Sequence, residues 1–307
     1  MRLYTFEMEN QQRIGAELDG RIIDLNAAYV ASTGDRSAAV AKSMIDLIRS
    51  HERALVVARE ALAFAARQAG SPDASRWSYA VDSVRLCAPI PRPGKILCSG
   101  LNYRSHLEEN PDAKLPEEPR FFAKMPSVVI GASEPIHHPG ARFEVDYEVE
   151  LAVVIGKSMF RETPQNTMSH VFGYTVFHDV SARFIQFRNN NEIMGKNFDT
   201  FAPMGPCIVT VDEIPDPIPL RLTLKLNGQT MQDRTNHDWC FPLPRMLAWL
   251  SMAMTLEPGD VMTTGTPAGV GCFRRPPVYL KPGDVCELEI SGIGKLVNPV
   301  ISDEYRG

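Results

Sequence analysis

Apolar and polar positions near the start of the chain group into short runs at residues 3–6, 13–18 and 21–25, which predict a small β structure. Asp19-Gly20 separates the last two runs and predicts a hairpin, because both residue types tolerate positive φ. The period then changes. Leu47, Ile48, Leu55, Val56, Leu62 and Ala65 recur at helical spacings, predicting helices over 44–49 and 51–68 that end at Gly70-Ser71-Pro72. Pro89, Pro91 and Pro93 followed by Gly94 form a stiff connector. The expected division is therefore a small N-terminal α+β domain at 1–85 and a larger domain at 86–307.

Beyond the connector, residues 95–100 predict a strand, and 101–111 a polar segment with room for two helical turns at most, too few to be stable alone. Residues 146–155 combine acid and strand signals. Read as one strand, they place Asp146, Glu148 and Glu150 on one face and run into the uninterrupted apolar stretch 151–155, which predicts burial on both faces. Three carboxylates crowded in a partly dry place repel, so their pKa values rise or a cation compensates them. A second apolar strand over 172–177 delivers another acid, Asp179. Later come strands over 206–230 with an Asn227-Gly228 turn, a helix over 244–254, a strand at 261–264 and two more at 285–290 and 295–301. The Gly-rich run 265–271 offers backbone N–H groups to an anion, but it has no G-K-[ST] ending and so is no nucleotide P-loop. Many short strands and few long helices predict a β-rich α+β fold.

With 307 residues, 44% of them apolar, the chain is long enough for a substantial core. A net charge of −5 leaves no electrostatic footprint for nucleic acid or an anionic membrane. No secretory signal opens the sequence and no apolar run approaches a membrane span, so a cytoplasmic location and a small-molecule substrate are expected. The six cysteines are dispersed without a C-x-x-C pair and read as reduced core residues. His137-His138 find no third nitrogen ligand at zinc spacing and read as exposed loop histidines.

The runs D-Y-E-V-E-L-A-V-V-I-G-K (146–157), H-D-V-S-A-R (178–183), G-K-N-F-D-T-F (195–201), L-E-P-G-D-V (256–261) and T-G-T-P-A-G-V-G (264–271) resemble, in order and spacing, the fumarylacetoacetate hydrolase family. The resemblance covers about residues 94–300 and implies the family's mixed β-sandwich roll and a homodimer. It implies Glu148, Glu150 and Asp179 as ligands of one divalent metal. Oxygen ligands alone favour Mg²⁺ or Mn²⁺, with Ca²⁺ as a further candidate, over zinc. By the same resemblance, His106 and Glu109 form a water-activating H-x-x-E dyad on a segment that orders with ligand. Arg183, Gln186 and Thr266 hold a keto acid substrate, and Lys196 stabilises an enolate. Lys124, in an F-x-K-x-P-S run, is either a substrate contact or a structural lysine. Phe184 stands where many relatives carry Asp, so a hydrogen-bonding contact is expected to be missing and the pocket or subunit interface to be more apolar. The implied reaction is hydrolysis of a carbon–carbon bond in an acylpyruvate-type 2,4-dioxo acid. Oxaloacetate decarboxylation and isomerisation of a hydroxymuconate-type dienoate are the alternatives, followed by an inactive metal-binding homologue.

Overall fold

The computed structural model describes residues 1–37, 39–110 and 113–305. The N-terminal part contains β1 (Arg2–Met8), β2 (Gln11–Leu18), β3 (Arg21–Asp24), α1 (Leu25–Thr33), the long α2 (Met44–Arg67), β4 (Ser78–Ala80) and β5 (Arg85–Leu86). Both Asp19 and Gly20 take positive φ, 49° and 72°, as their turn requires. The two expected helices are both present within α2 and meet at His51, where φ of 36° and ψ of −111° break the helical path. Helix α1 was not expected; its start is signed by Asp24, whose side chain accepts from the Ala27 N–H at 2.9 Å.

The chain continues through β6 (Ile96–Gly100), α3 (Arg104–Glu109), β7 (Arg120–Lys124), β8 (Val129–Ile130), β9 (Ile136–His138), β10 (Val145–Asp146) and β11 (Val149–Ile155). Next come α4 (Pro164–Thr167), β12 (Val171–His178), β13 (Ser181–Ala182), α5 (Arg183–Phe187), α6 (Glu192–Lys196) and β14 (Ala202–Thr210). The last elements are β15 (Arg221–Leu226), β16 (Gln229–Thr235), α7 (Leu243–Ala253), β17 (Val261–Thr263), β18 (Val285–Ile290) and β19 (Gly294–Ser302).

Among the described residues, one large sheet runs β4-β3-β2-β1-β14-β12-β11-β17-β6-β7, with β5 on β1 and β8 on β14. A second sheet, β16-β15-β18-β19-β9, faces it. Pairing of β1 with β14 carries the N-terminal strands into the large sheet. Strand β11 is buried along its whole length, as its apolar run predicts. Leu151, Val153 and Ile155 pack into the core shared with the second sheet, while Ala152 and Val154 pack towards α2. The result is a β-rich α+β sandwich with helices over the outer face of its large sheet. No described helix is long and apolar enough to cross a membrane.

Two expectations need correction. The acid-bearing strand is not continuous: β10 pairs with β13, β11 pairs with β12, and Tyr147 and Glu148 lie between them. The break has a cause outside the segment, because the Val149 N–H donates to the Gln232 side chain at 2.9 Å. His137 and His138 belong to β9, which runs parallel to β19, and His138 is buried. All six cysteines are free, and all but Cys240 are buried.

Close packing of β12 against β14 depends on Gly173, where an added methyl group would run into the Val209 carbonyl oxygen and the Ile208 side chain. Gly173→Ala should therefore cost about 1–3 kcal/mol, the usual range for overpacking. Chemical denaturation measures it; a midpoint equal to the parent's would show that β14 yields at no cost.

Candidate metal centre and catalytic cavity

Strands β11 and β12 are adjacent and antiparallel, with Val149 opposite His178, so the start of one and the end of the other meet. Their acids converge there. Glu148, Glu150 and Asp179 are all buried and offer carboxylate oxygens within 4.8 Å of one another. Asp146 is close by but outside this group: its oxygens accept from the Gly271 N–H at 2.7 Å, the Cys272 N–H at 3.0 Å and Arg183 Nε at 2.9 Å.

Cations neutralise most of this charge. Lys196 Nζ donates to Glu148 Oε2 and Asp179 Oδ2, both at 2.9 Å. Lys124, with a fully buried side chain, donates to Asp179 Oδ1 at 2.6 Å and to the Val180 carbonyl at 3.0 Å. This makes Lys124 a structural counter-ion, the second of its two expected roles. Arg183 divides its guanidinium between Asp146, Gln186 Oε1 at 2.8 Å and Glu148 Oε1 at 2.6 Å. Burial opposes the charge on Glu148, but Lys196 and Arg183 outweigh it and hold that carboxyl well below the usual range. Burial likewise opposes the charge of Lys196, yet Asp179 and Glu148 raise its pKa. Glu150 is the exception. Burial, then Asp179 and Glu148, push its carboxyl well above the ordinary value, and its Oε2 accepts the Gly265 N–H at 3.1 Å.

Formally the four acids Asp146, Glu148, Glu150 and Asp179 face the three cations Lys124, Arg183 and Lys196, leaving one negative charge. A divalent cation fits this donor set: hard, buried, anionic oxygens converge, and one carboxylate lacks a counter-charge. With such an ion the excess becomes positive and suits an anionic substrate.

Glu148, Glu150, Arg183 and Lys196 of this cluster line a cavity of about 450 Å³, which His106, Gln186, Phe187, Thr266 and Phe273 also line. His106 Nδ1 lies 2.7 Å from Glu109 Oε1 on α3, joining the expected dyad. Protein contacts hold this short helix in place. Ser105 bonds to Asp238, Tyr103 Oη donates to Asn236 at 2.6 Å, and Glu109 Oε2 accepts the Gly269 N–H at 2.8 Å. These contacts tie the segment to the 236–238 turn and the Gly-rich loop; Pro111 lies outside the described residues. The Gly-rich loop also departs from expectation. Its N–H groups at Gly265, Gly269, Gly271 and Cys272 go to the protein's own Glu150, Glu109 and Asp146.

Thr266 lines the cavity, but its hydroxyl donates to the Val149 carbonyl at 2.9 Å and accepts from Gln232 Nε2 at 2.8 Å. The donor role implied by resemblance would require exchange of that bond. Phe184 is 43% exposed and is not part of the cavity wall, so an aromatic ring here leaves the Arg183 fork complete. Sequence reasoning missed Gln232, Asp238 and Arg120; the first two come from the distant 229–238 segment and carry no local signal.

A family model described as the fumarylacetoacetate hydrolase C-terminal domain matches residues 95–301. The mitochondrial oxaloacetate tautomerase fahd2 of Xenopus laevis is 42% identical over 98% of this chain and 90% of its own length. An oxaloacetate tautomerase of Bacillus subtilis (strain 168) is 36% identical over 98% of this chain and 100% of its own. Among solved structures, maleylpyruvate hydrolase from Sphingobium sp. SYK-6, in complex with manganese(II) and pyruvate, is similar with a TM-score of 0.77. It is 30% identical and covers 99% of this chain and 100% of its own.

Metal uptake should release protons. The raised pKa of Glu150 means that its carboxyl keeps its proton above the usual carboxylate range, so Mg²⁺ or Mn²⁺ should bind more weakly as pH falls through that raised value. Calorimetry in buffers of different ionisation enthalpy should find proton release on binding that grows as the pH is lowered towards that raised value. Binding with no proton release at any pH would contradict the raised pKa of Glu150.

The ligands should also differ in stability. Glu150→Gln removes repulsion and keeps the acceptor for Gly265, so the metal-free protein should melt no lower than its parent while losing metal affinity. Asp179→Ala strands Lys124 in the core and should cost about 3–5 kcal/mol, as breaking a buried ion pair does. Thermal denaturation with and without metal separates them; equal losses would refute the asymmetry.

Proposed function

The chain belongs to the fumarylacetoacetate hydrolase family of enzymes, and from that premise we propose that it interconverts the enol and keto forms of an oxaloacetate-type 2-oxo dicarboxylic acid. This moves the reading from hydrolysis of acylpyruvates to isomerase chemistry, the class that the tautomerase relatives support. The observation that carries it is the His106–Glu109 dyad on the wall of the cavity that holds the buried charge cluster. A proton shift between carbon and oxygen needs one positioned base and a place for negative charge, and no further nucleophile.

In this reading Glu148, Glu150 and Asp179 hold Mg²⁺ or Mn²⁺, which when bound would favour negative charge on the substrate's 2-oxo oxygen. His106 Nδ1 is tied to Glu109, so Nε2 is the nitrogen left to exchange a proton with C3 of the substrate. From the keto side, Nε2 takes the C3 proton, the electron pair forms the C2–C3 double bond and the 2-oxo oxygen becomes anionic before it is protonated. From the enol side the oxygen loses its proton and His106 returns one to C3. Only C–H and O–H bonds change, and no water is consumed. Lys196 has two of its three N–H groups on Glu148 and Asp179, which leaves the third for the developing charge. Arg183, largely occupied by acids and Gln186, sets the positions of Glu148 and Gln186. The proposal retains the division at 1–85 and 86–307 and a homodimer.

The maleylpyruvate hydrolase likeness favours a second reading, water-dependent cleavage. Loss of the enol absorbance of oxaloacetate and deuterium exchange at C3 measure tautomerisation, and pyruvate release from an acylpyruvate measures cleavage. His106→Asn should lower tautomerisation by about 10²-fold or more, the scale of a positioned general base, and Glu109→Gln by less. Parental rates in His106→Asn would refute the base assignment. Faster cleavage of the acylpyruvate than tautomerisation by the parent protein would replace the proposed reaction with the second.

A further inference from the structure

The outer part of the same cavity contains an ion pair that the mechanism leaves unused. Arg120 NH2 donates to Glu192 Oε1 at 2.7 Å, and both residues line the cavity wall. Arg120 is half exposed, unlike the buried cations at the metal centre.

Its placement follows from the two elements that face each other here. On β7, Arg120 and Phe122 are two residues apart and so share a face, about 7 Å from each other. On α6, Glu192 and Lys196 are four apart and lie on one helical face, about 6 Å along the axis. The elements meet in two rungs: Arg120 with Glu192, and Phe122 with Lys196, whose Nζ is 5.0 Å from the ring centre. One rung ends at the metal centre and the other lies a short dicarboxylate's length away. The space between them is bare on the β6 side. Gly100 pairs with Arg120 across the sheet and lines the cavity, and an added Cβ there would meet nothing within 4 Å.

We propose that Arg120 is a specificity residue that receives the far carboxylate of a 2-oxo dicarboxylic acid, releasing Glu192 in exchange. The inference rests on the reading that the near, 2-oxo end lies at the Glu148, Glu150 and Asp179 site. Charge favours the exchange. One carboxylate replaces another on a planar guanidinium suited to bidentate contact, and the buried cluster with its metal carries an excess of positive charge that attracts a dianion more than a monoanion. A monocarboxylate offers Arg120 nothing and leaves the Arg120–Glu192 pair closed.

The test compares binding of oxaloacetate with binding of 2-oxobutanoate, its monocarboxylate counterpart of equal chain length, to the Mg²⁺-loaded protein by calorimetry. The parent should prefer the dicarboxylate by about tenfold or more, the usual effect of a charge-assisted pair. Arg120→Gln should erase that preference and leave 2-oxobutanoate affinity within about twofold of the parent. Glu192→Gln, which frees the guanidinium, should tighten oxaloacetate severalfold. An unchanged preference in Arg120→Gln, or an unchanged or weaker oxaloacetate affinity in Glu192→Gln, would overturn the exchange. So would an equal loss of preference in Lys114→Gln, because Lys114 lines the same cavity and would then report a general field. Binding keeps the two proposals apart: an Arg120-dependent preference without tautomerisation removes the proposed reaction alone, and tautomerisation without that preference removes this inference alone.

Discussion

Burial of four carboxylates at the junction of β10, β11 and β12 is the constraint on which the rest of the site depends. Uncompensated, such a group could not stay ionised inside a protein core. The chain answers with cations from three separate elements: Lys124 from the end of β7, Arg183 from the start of α5 and Lys196 from the end of α6. Each is nearly or wholly buried, so each requires the acids as much as they require it. The outcome is uneven by one charge, and it falls on Glu150, where burial and the charges of Asp179 and Glu148 outweigh the weaker pull of Lys196. A site that repels its own third carboxylate is arranged for a cation from outside.

The same electrostatic logic explains the Gly-rich loop. Its N–H groups converge on carboxylates, and they fasten Asp146 beneath Arg183, Glu150 beside Glu148 and Asp179, and Glu109 behind His106. A side chain at Gly271 would strike the Val278 carbonyl and the Asp146 carboxylate, so close backbone approach is needed there. One loop thereby ties the dyad to the metal centre. The six-residue α3, too short to be stable alone, inherits its order from this loop and from Asp238 and Asn236.

Much of this was legible in the sequence because it was written locally. The apolar run of β11, the Asp19-Gly20 and Asn227-Gly228 turns and the i, i+3 spacing of His106 and Glu109 each require only neighbouring residues to be read. What escaped was decided at long range. The break between β10 and β11 follows from Gln232 of β16, more than eighty residues away in the chain. Burial of His138 follows from its parallel pairing with β19 near the C-terminus. Lys124 could not be assigned from its run, since its role as a counter-ion exists only once β7 and the end of β12 are side by side. Anchoring of α3 came from the same source, side chains of the 229–238 segment that carry no motif.

His178 shows how strongly this interior favours neutral groups where no partner is provided. It is wholly buried next to Asp179, and neither ring nitrogen has a hydrogen-bond partner. Burial, then Lys124, hold its pKa down at about 3, so it is neutral around neutral pH. Charging it would add a fourth cation to a cluster that already has three, and would cancel the negative excess that suits the site to a metal. A neutral imidazole at that position leaves the deficit on Glu150, the carboxylate of the three that no lysine or arginine pairs with among the described residues. The charge of the site is thus set as much by the group that stays neutral as by those that ionise.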